Sequence, residues 1–465
     1  MSKNIWLLTE ERPKRNVVYI ILARFCSGSG FSHSTEDIRI VPIMKNGKFQ
    51  FCYRVIGFQS PEIKEIFILP VSGHSSFVDF MLFYQGSRPS DKDQPQLLIE
   101  ETKTDDTESR NTGVYQRCTK FVVTNYFYPG VQSIMFYNLQ IPQKTKPTAT
   151  DIFGTRMLLT YGVEILGKKH DPVIFKPFES LDELIAAKNS MGLPGNGVPV
   201  RIKREDDAIK ISAKLEKGGR LAHDPNIGML SIMCACIRML GWERRIIITD
   251  HALPGSGSVG NKNKFNYVAR EYGIELEGIK LPVVEWPDEY WQHEKIKEKT
   301  GTIFVHVIVE NFTSAFAIYE NHGGCERGYF LDYSKKQLEI MTVQKYSDRD
   351  KYKGGDKRSI IFIPDLVLWD KKNNEIIDIE GKTFLNRAQG VVELKNLDSF
   401  EELIVSSRYS DQKIIRSLVL AGKGSPRQAS QLKELGLYLD SSGIITLGQN
   451  SPKIIKEAVA KLGTS

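Results

Sequence analysis

Two stretches of this 465-residue chain carry acidic and basic side chains in the same order. In the first, Asp79 lies in the apolar run FVDFMLFY (77–84), and Glu101 and Lys103 follow in LLIEETK (97–103). In the second, Asp365 follows Pro364 in SIIFIPDLVLW (359–369), and Glu380 and Lys382 follow in EIIDIEGK (375–382). Side chains two apart on a strand face the same way. Glu101 and Lys103 are therefore expected on one face, as are Glu380 and Lys382, and a neighbouring strand sets an aspartate beside each glutamate. Two carboxylates so placed can hold a hard divalent cation through oxygen. Such a cation offsets charge on a phosphate and acidifies a bound water. The lysine can then position that water or stabilise the charge that develops on the phosphate. Asp378 shares the expected face of Glu380 and could assist the cation, whereas Glu100 is expected on the face opposite Glu101.

These side chains need strands to hold them. Alternating or continuous apolar runs predict strands near 38–43, 50–57, 65–71, 77–84, 97–103 and 133–139, and VVYIILAR (17–24) reads as a buried strand. VYQRCTKFVV follows the polar DDTESRNTG and reads as a helix, with Asp105 or Asp106 as its cap. This order suits a mixed α/β domain over residues 1–165. A helix near 178–190 and a Gly/Pro-rich linker at 193–206 open a central region over 166–290. That region continues with an apolar helix over 227–240, with Asp224 as N-cap and Pro225 at its first position, and a strand at 244–249. Residues 291–465 hold strand candidates at 303–310, 359–369 and 375–382, then alternate strand and helix to the end.

The doubled pattern resembles the PD-(D/E)XK nuclease superfamily. The second copy carries Pro364-Asp365 and then Asp378-Ile379-Glu380-Gly381-Lys382; the first carries Val78-Asp79 and then Glu100-Glu101-Thr102-Lys103, without the proline. The resemblance implies an α/β fold: two restriction-endonuclease-like cores, each a mixed central sheet flanked by helices, joined by a DNA-recognition region. It implies Asp79, Glu101, Asp365 and Glu380 as ligands of Mg²⁺, helped by Asp378, and Lys103 and Lys382 as catalytic lysines. The layout is similar to type II restriction endonucleases of the asymmetric, type IIS kind, which cut double-stranded DNA with one centre per strand. A cognate DNA methyltransferase in the same system is implied too, and the enzyme would be a monomer or a homodimer. Two alternatives stay open. One is a homodimer with a single working centre and one degenerate copy; the other is a non-catalytic DNA-binding protein on nuclease folds.

The remaining features bound these expectations. The net charge of +7 permits a polyanionic partner without requiring one. Arg110, Gln116, Arg117 and Lys120 on the helix after the first motif, and Lys353, Lys357 and Arg358 before the second, are candidates for backbone phosphate contacts, although a solvated helix face or turn would read the same way. Arg201, Lys203, Arg204 and the basic stretch 261–264 carry the same ambiguity. The six cysteines show no zinc-finger spacing, and GSGSVG (255–260) and VLAGKGS (418–424) lack the context of nucleotide-binding loops. No apolar run is long enough to span a bilayer and the first residues do not read as a secretory signal, so a cytoplasmic protein is expected.

Overall fold

The computed structural model describes the chain except residues 1, 10–11, 72–76, 103–112, 139–146, 169–171, 192–199, 214–222, 250–258, 278–297, 321–326, 332–336, 343–363, 399, 403–408, 410 and 463–465; the side chains at 113, 116, 213, 223–227, 259–264, 298, 327–331 and 337–342 are also outside the description. In chain order the elements are β1 (Lys3–Thr9), α1 (Arg15–Ser29), β2 (Ser34–Lys45), β3 (Lys48–Gln59), β4 (Ile63–Pro70), β5 (Phe80–Gln85), β6 (Leu97–Thr102), α2 (Gly113–Phe127), β7 (Gln132–Tyr137), α3 (Ala149–Thr160) and β8 (Glu164–Leu166). Next come α4 (Leu181–Ser190), β9 (Val200–Arg204), β10 (Ala208–Ala213), α5 (His223–Met239), β11 (Arg245–Ile248), α6 (Val259–Glu271) and β12 (Ile274–Leu276). The last part holds α7 (Glu298–Phe312), β13 (Phe316–Glu320), β14 (Arg327–Leu331), β15 (Gln337–Thr342), β16 (Leu366–Asp370), β17 (Glu375–Thr383), α8 (Arg387–Lys395), β18 (Lys413–Gly422), β19 (Leu435–Asp440) and β20 (Ile445–Leu447), with short helix Pro426–Ser430 and a closing helix Lys453–Leu462. The protein is thus mixed α/β, its mixed sheets flanked by helices.

Contacts divide the chain into two units. One combines residues 1–72, 85–88 and 292–465; the other combines 73–84 and 89–291. The expected 1–165 segment is therefore divided, because residues 1–72 join the C-terminal third through long-range packing that a local pattern does not reveal. In the unit that holds both chain ends, α7 lies against β17, β18, β2 and the closing helix. Arg12 reaches Glu310 and Glu320 at 2.9 and 2.7 Å, and the Ile40 N–H donates to Asn311. The sheet here runs β13-β16-β17-β18-β19-β20, with β16/β17 antiparallel and β17/β18/β19 parallel.

The other unit repeats that order of strands. β5 and β6 are antiparallel, and β6, β7 and β8 are parallel neighbours. Helix α2 makes the crossover from β6 to β7 as α8 does from β17 to β18. A separate sheet, β12-β11-β10-β9, packs with α4 and α6, while α5 lies against α2. The central region is therefore a mixed sheet with helices, and α5 is buried along Met229–Ile237, as its continuous apolar sequence predicts.

Two expected strands are helices. Residues 17–24 belong to α1, whose buried positions Val17, Val18, Ile21, Leu22 and Phe25 follow helical spacing. Residues 303–310 belong to α7, where Phe304, Val305, Val307, Ile308 and Val309 are all buried. An apolar run buried on every side carries no period to separate helix from strand. Strand β1 and the strand β19 were not anticipated, and of the alternating strands and helices expected near the C-terminus one helix is confined to Pro426–Ser430. Among the described residues no helix is long and apolar enough to cross a membrane.

Candidate active site

Strand register decides which carboxylates meet. β16 pairs β17 with Leu366 opposite Ile379, and the Asp365 N–H donates to the Ile379 carbonyl at 3.0 Å. Asp365 thus stands opposite Glu380, and the Gly381 N–H donates to Asp365 Oδ2 at 3.0 Å. Lys382 Nζ donates to Glu380 Oε1 at 2.5 Å and pairs with Glu393 Oε2 of α8 at 3.0 Å. Asp365, Glu380 and Lys382 are all buried. The structure brings this expected triad together and adds Glu393, a helix residue with no strand signature.

Burial, then repulsion from Asp365, pushes Glu380 well above the usual carboxylate range, against the pull of Lys382. The contact with Glu393 raises Glu380 further. Burial works to raise Glu393 too, but the bond from Glu380 and the Lys382 ammonium keep it below its ordinary value. Two acids thus pair with one lysine here.

Asp378 sits elsewhere. It is fully buried, and neither of its carboxylate oxygens has a hydrogen-bond partner among the described residues. Burial, then the facing Glu401, pushes it well above the usual range, and Arg416 opposes this only in part. Arg416 holds Glu401 with two bonds of 2.6 and 2.8 Å. Asp378 thus belongs with Glu401 and Arg416 instead of joining Asp365, because a shared strand face extends over more than one neighbour.

The other unit contains a second pair built in the same way. β5 pairs β6 with Phe80 opposite Ile99, which sets Asp79 opposite Glu100. The Asp79 N–H donates to Glu100 Oε2 at 3.2 Å, and the Glu101 N–H donates to Asp79 Oδ2 at 2.9 Å. The latter bond matches that from Gly381 to Asp365, so Glu100 corresponds to Glu380. This reverses the expected faces: the Glu101 carboxylate accepts from Asn138 Nδ2 at 2.7 Å instead. A register shift of one residue exchanges the two faces of a strand, and two adjacent glutamates conceal which register applies.

Lys120 of α2 completes this pair. Its ammonium lies 3.0 Å from Asp79 Oδ1 and 2.7 and 2.8 Å from the Glu100 oxygens. Arg117 Nε stands 3.6 Å from Glu100 Oε1. Burial alone would raise Asp79, but Lys120, the Glu101 N–H and Arg117 hold it below its ordinary value. Burial and then Asp79 push Glu100 up to about 8, against Lys120 and Arg117. Arg117 and Lys120, expected on DNA phosphates, are thus directed at buried carboxylates.

Lys103, Arg110, Lys353, Lys357, Arg358 and the Gln116 side chain lie outside the described residues. On β9, Lys203 pairs with Glu205 and Arg204 with Asp182 across the surface. Among the described residues no group of three or more His, Cys, Asp or Glu is arranged to hold a metal ion. In each unit an aspartate and a glutamate face each other across an antiparallel strand pair. No protein-family model, no curated protein and no solved structure matches the chain.

Proposed function

We propose that the chain is a Mg²⁺-dependent endonuclease of double-stranded DNA, of the type II restriction kind, with one phosphodiester-cleaving centre in each unit. The observation that carries this reading is the repeat of one arrangement: an antiparallel strand pair sets an aspartate against a glutamate, and the next strand N–H clamps the aspartate at 3.0 Å in one copy and 2.9 Å in the other. Asp365 and Glu380, and Asp79 and Glu100, would hold the cation. When bound, Mg²⁺ supplies charge compensation on the scissile phosphate and an acidified water. The Gly381 and Glu101 N–H groups fix the aspartate rotamers, so the acids are preorganised. Lys382, already buried beside the pair, directs its ammonium at the developing phosphate charge.

Two unlike centres in one chain suit a site without two-fold symmetry, since symmetric sites are served by symmetric dimers. The test uses D79N and D365N separately on a supercoiled plasmid that the unaltered protein linearises. Each variant should yield nicked circles, with the nicks on opposite strands. If both variants linearise at the normal rate, the two-centre reading fails. The charge balance of the Asp79 pair favours one alternative, in which that copy is structural and a homodimer cuts with the other centre. D79N would then be neutral and D365N inactive on both strands.

A further inference from the structure

The two centres differ in the source of their ammonium. In the C-terminal one the lysine stands two residues after the glutamate, on the same strand face, and reaches Glu380 at 2.5 Å. In the other centre the position two residues after Glu100 is Thr102, which is buried.

We propose that Lys120, delivered from helix α2, is the catalytic lysine of the Asp79–Glu100 centre, the role that the resemblance gives to Lys103. The proposal rests on the nuclease reading and specifies one of its residues. Lys120 Nζ contacts both carboxylates at once, at 3.0 Å from Asp79 Oδ1 and 2.7 Å from Glu100 Oε1. An ammonium held by two facing carboxylates occupies the place where a cation would bind. Lysine is a compact point charge on a flexible stem of four carbons. A divalent cation taking the two acids would therefore free the ammonium to move onto a phosphate oxygen, while its half-buried aliphatic stem stays on α2.

In the step served, the water oxygen forms a new bond to phosphorus and loses one proton to solvent. The P–O bond to the leaving sugar breaks with its electron pair on that oxygen, which takes a proton from solvent. The products are one hydroxyl and one phosphate monoester. Lys120 stays protonated throughout and stabilises the phosphate charge. This centre sets Lys120 and Arg117 against Asp79 and Glu100, whereas Lys382 alone pairs with Glu380 and Glu393 in the other.

The test compares K120M, K120R, K103M and K382M in the full chain. On a plasmid that the unaltered protein linearises in Mg²⁺, K120M should cut one strand at least about 100-fold more slowly and leave the same strand intact as D79N does. K103M should linearise normally, and K120M combined with K382M should cut neither strand. K120R keeps the ion pairs and the fold; its bulkier, planar head should still slow that strand at least about 10-fold. A second readout does not depend on cleavage. Loss of the ammonium leaves only Arg117 to offset two buried acids, so Mg²⁺ should raise the Tm of K120M by several degrees more than that of the unaltered protein or K103M. If K103M nicks while K120M or K120R linearises normally, Lys120 is not the lysine of the centre, and the nuclease reading stands without it. Equal Mg²⁺ shifts in K120M and the unaltered protein would also overturn the proposal. If the unaltered protein cuts no DNA at all, the nuclease reading itself fails and this inference falls with it.

Discussion

At the scale of single residues, burial sets the behaviour of the ionisable groups. A carboxylate or ammonium removed from water needs a partner or shifts its titration. Lys168 meets this demand with Asp151, to which it donates deep in one unit. Lys188 of α4 does so poorly: its ammonium has Met191 Sδ at 3.9 Å and the Phe153 ring centre at 5.6 Å. Burial, then repulsion from Arg201, lowers it to about 8. The unfolded chain holds that proton to about pH 10.4, so between these values the unfolded state binds more protons and stability rises with pH. Below about pH 8 both states carry the proton and the folded state bears the whole penalty, up to about 3 kcal/mol. K188M should therefore raise the Tm at pH 7, with the gain shrinking to near zero by about pH 10.5. A gain that stays constant from pH 7 to 10.5, followed by calorimetry, would mean that packing and not charge is at issue.

At the scale of elements, the centres depend on how closely a helix approaches a strand. Gly390 lets α8 lie against β17 and β18: a Cβ added there would meet Leu418 Cδ1 at 2.6 Å and Lys382 Cγ at 2.8 Å. That closeness brings Glu393 within 3.0 Å of Lys382. An alanine gains helix propensity of about 1 kcal/mol but overpacks the contact by about 1–3 kcal/mol. G390A should change the Tm by no more than a few degrees, yet displace Lys382. Strand-specific nicking rates should show slower cutting by the Asp365 centre and an unchanged Asp79 centre. Equal rates on both strands would exclude the helix–strand fit as the determinant.

At the scale of the whole molecule, the unit that contains Asp365 is discontinuous in sequence. Its C-terminal segment relies on residues 1–72 for the Arg12 pairs with Glu310 and Glu320, for the bond from Arg15 to the Glu310 carbonyl at 2.7 Å, and for the contact of the Phe49 N–H with Gly443 at 2.8 Å. Phe49 itself packs on Phe304 of α7. A chain beginning at residue 292 would leave that face of α7 and its acids uncovered. It should show no cooperative thermal transition by circular dichroism, whereas the full chain should. A sharp melt of the shorter chain would show that residues 292–465 fold without the N-terminal strands.

The strands that Asp79 and Asp365 directly precede, and the one that carries Glu380, were legible in sequence, because each is a short apolar run and each acid stands out beside or within it. The i, i+2 relation of Glu380 and Lys382 needed nothing more than strand alternation. The choice between Glu100 and Glu101 was not legible, since it rests on one residue of cross-strand register, and the loop 86–96 between β5 and β6 is too long to fix that register by turn geometry. Lys120 and Glu393 come from helices whose faces are set by packing, so no spacing to the acids announces them. The helical state of residues 17–24 and 303–310 was concealed for a related reason: full burial erases the polar side from which a period is read. Local pattern thus specifies which side chains are available, while register and packing, which join residues far apart along the chain, select those that meet.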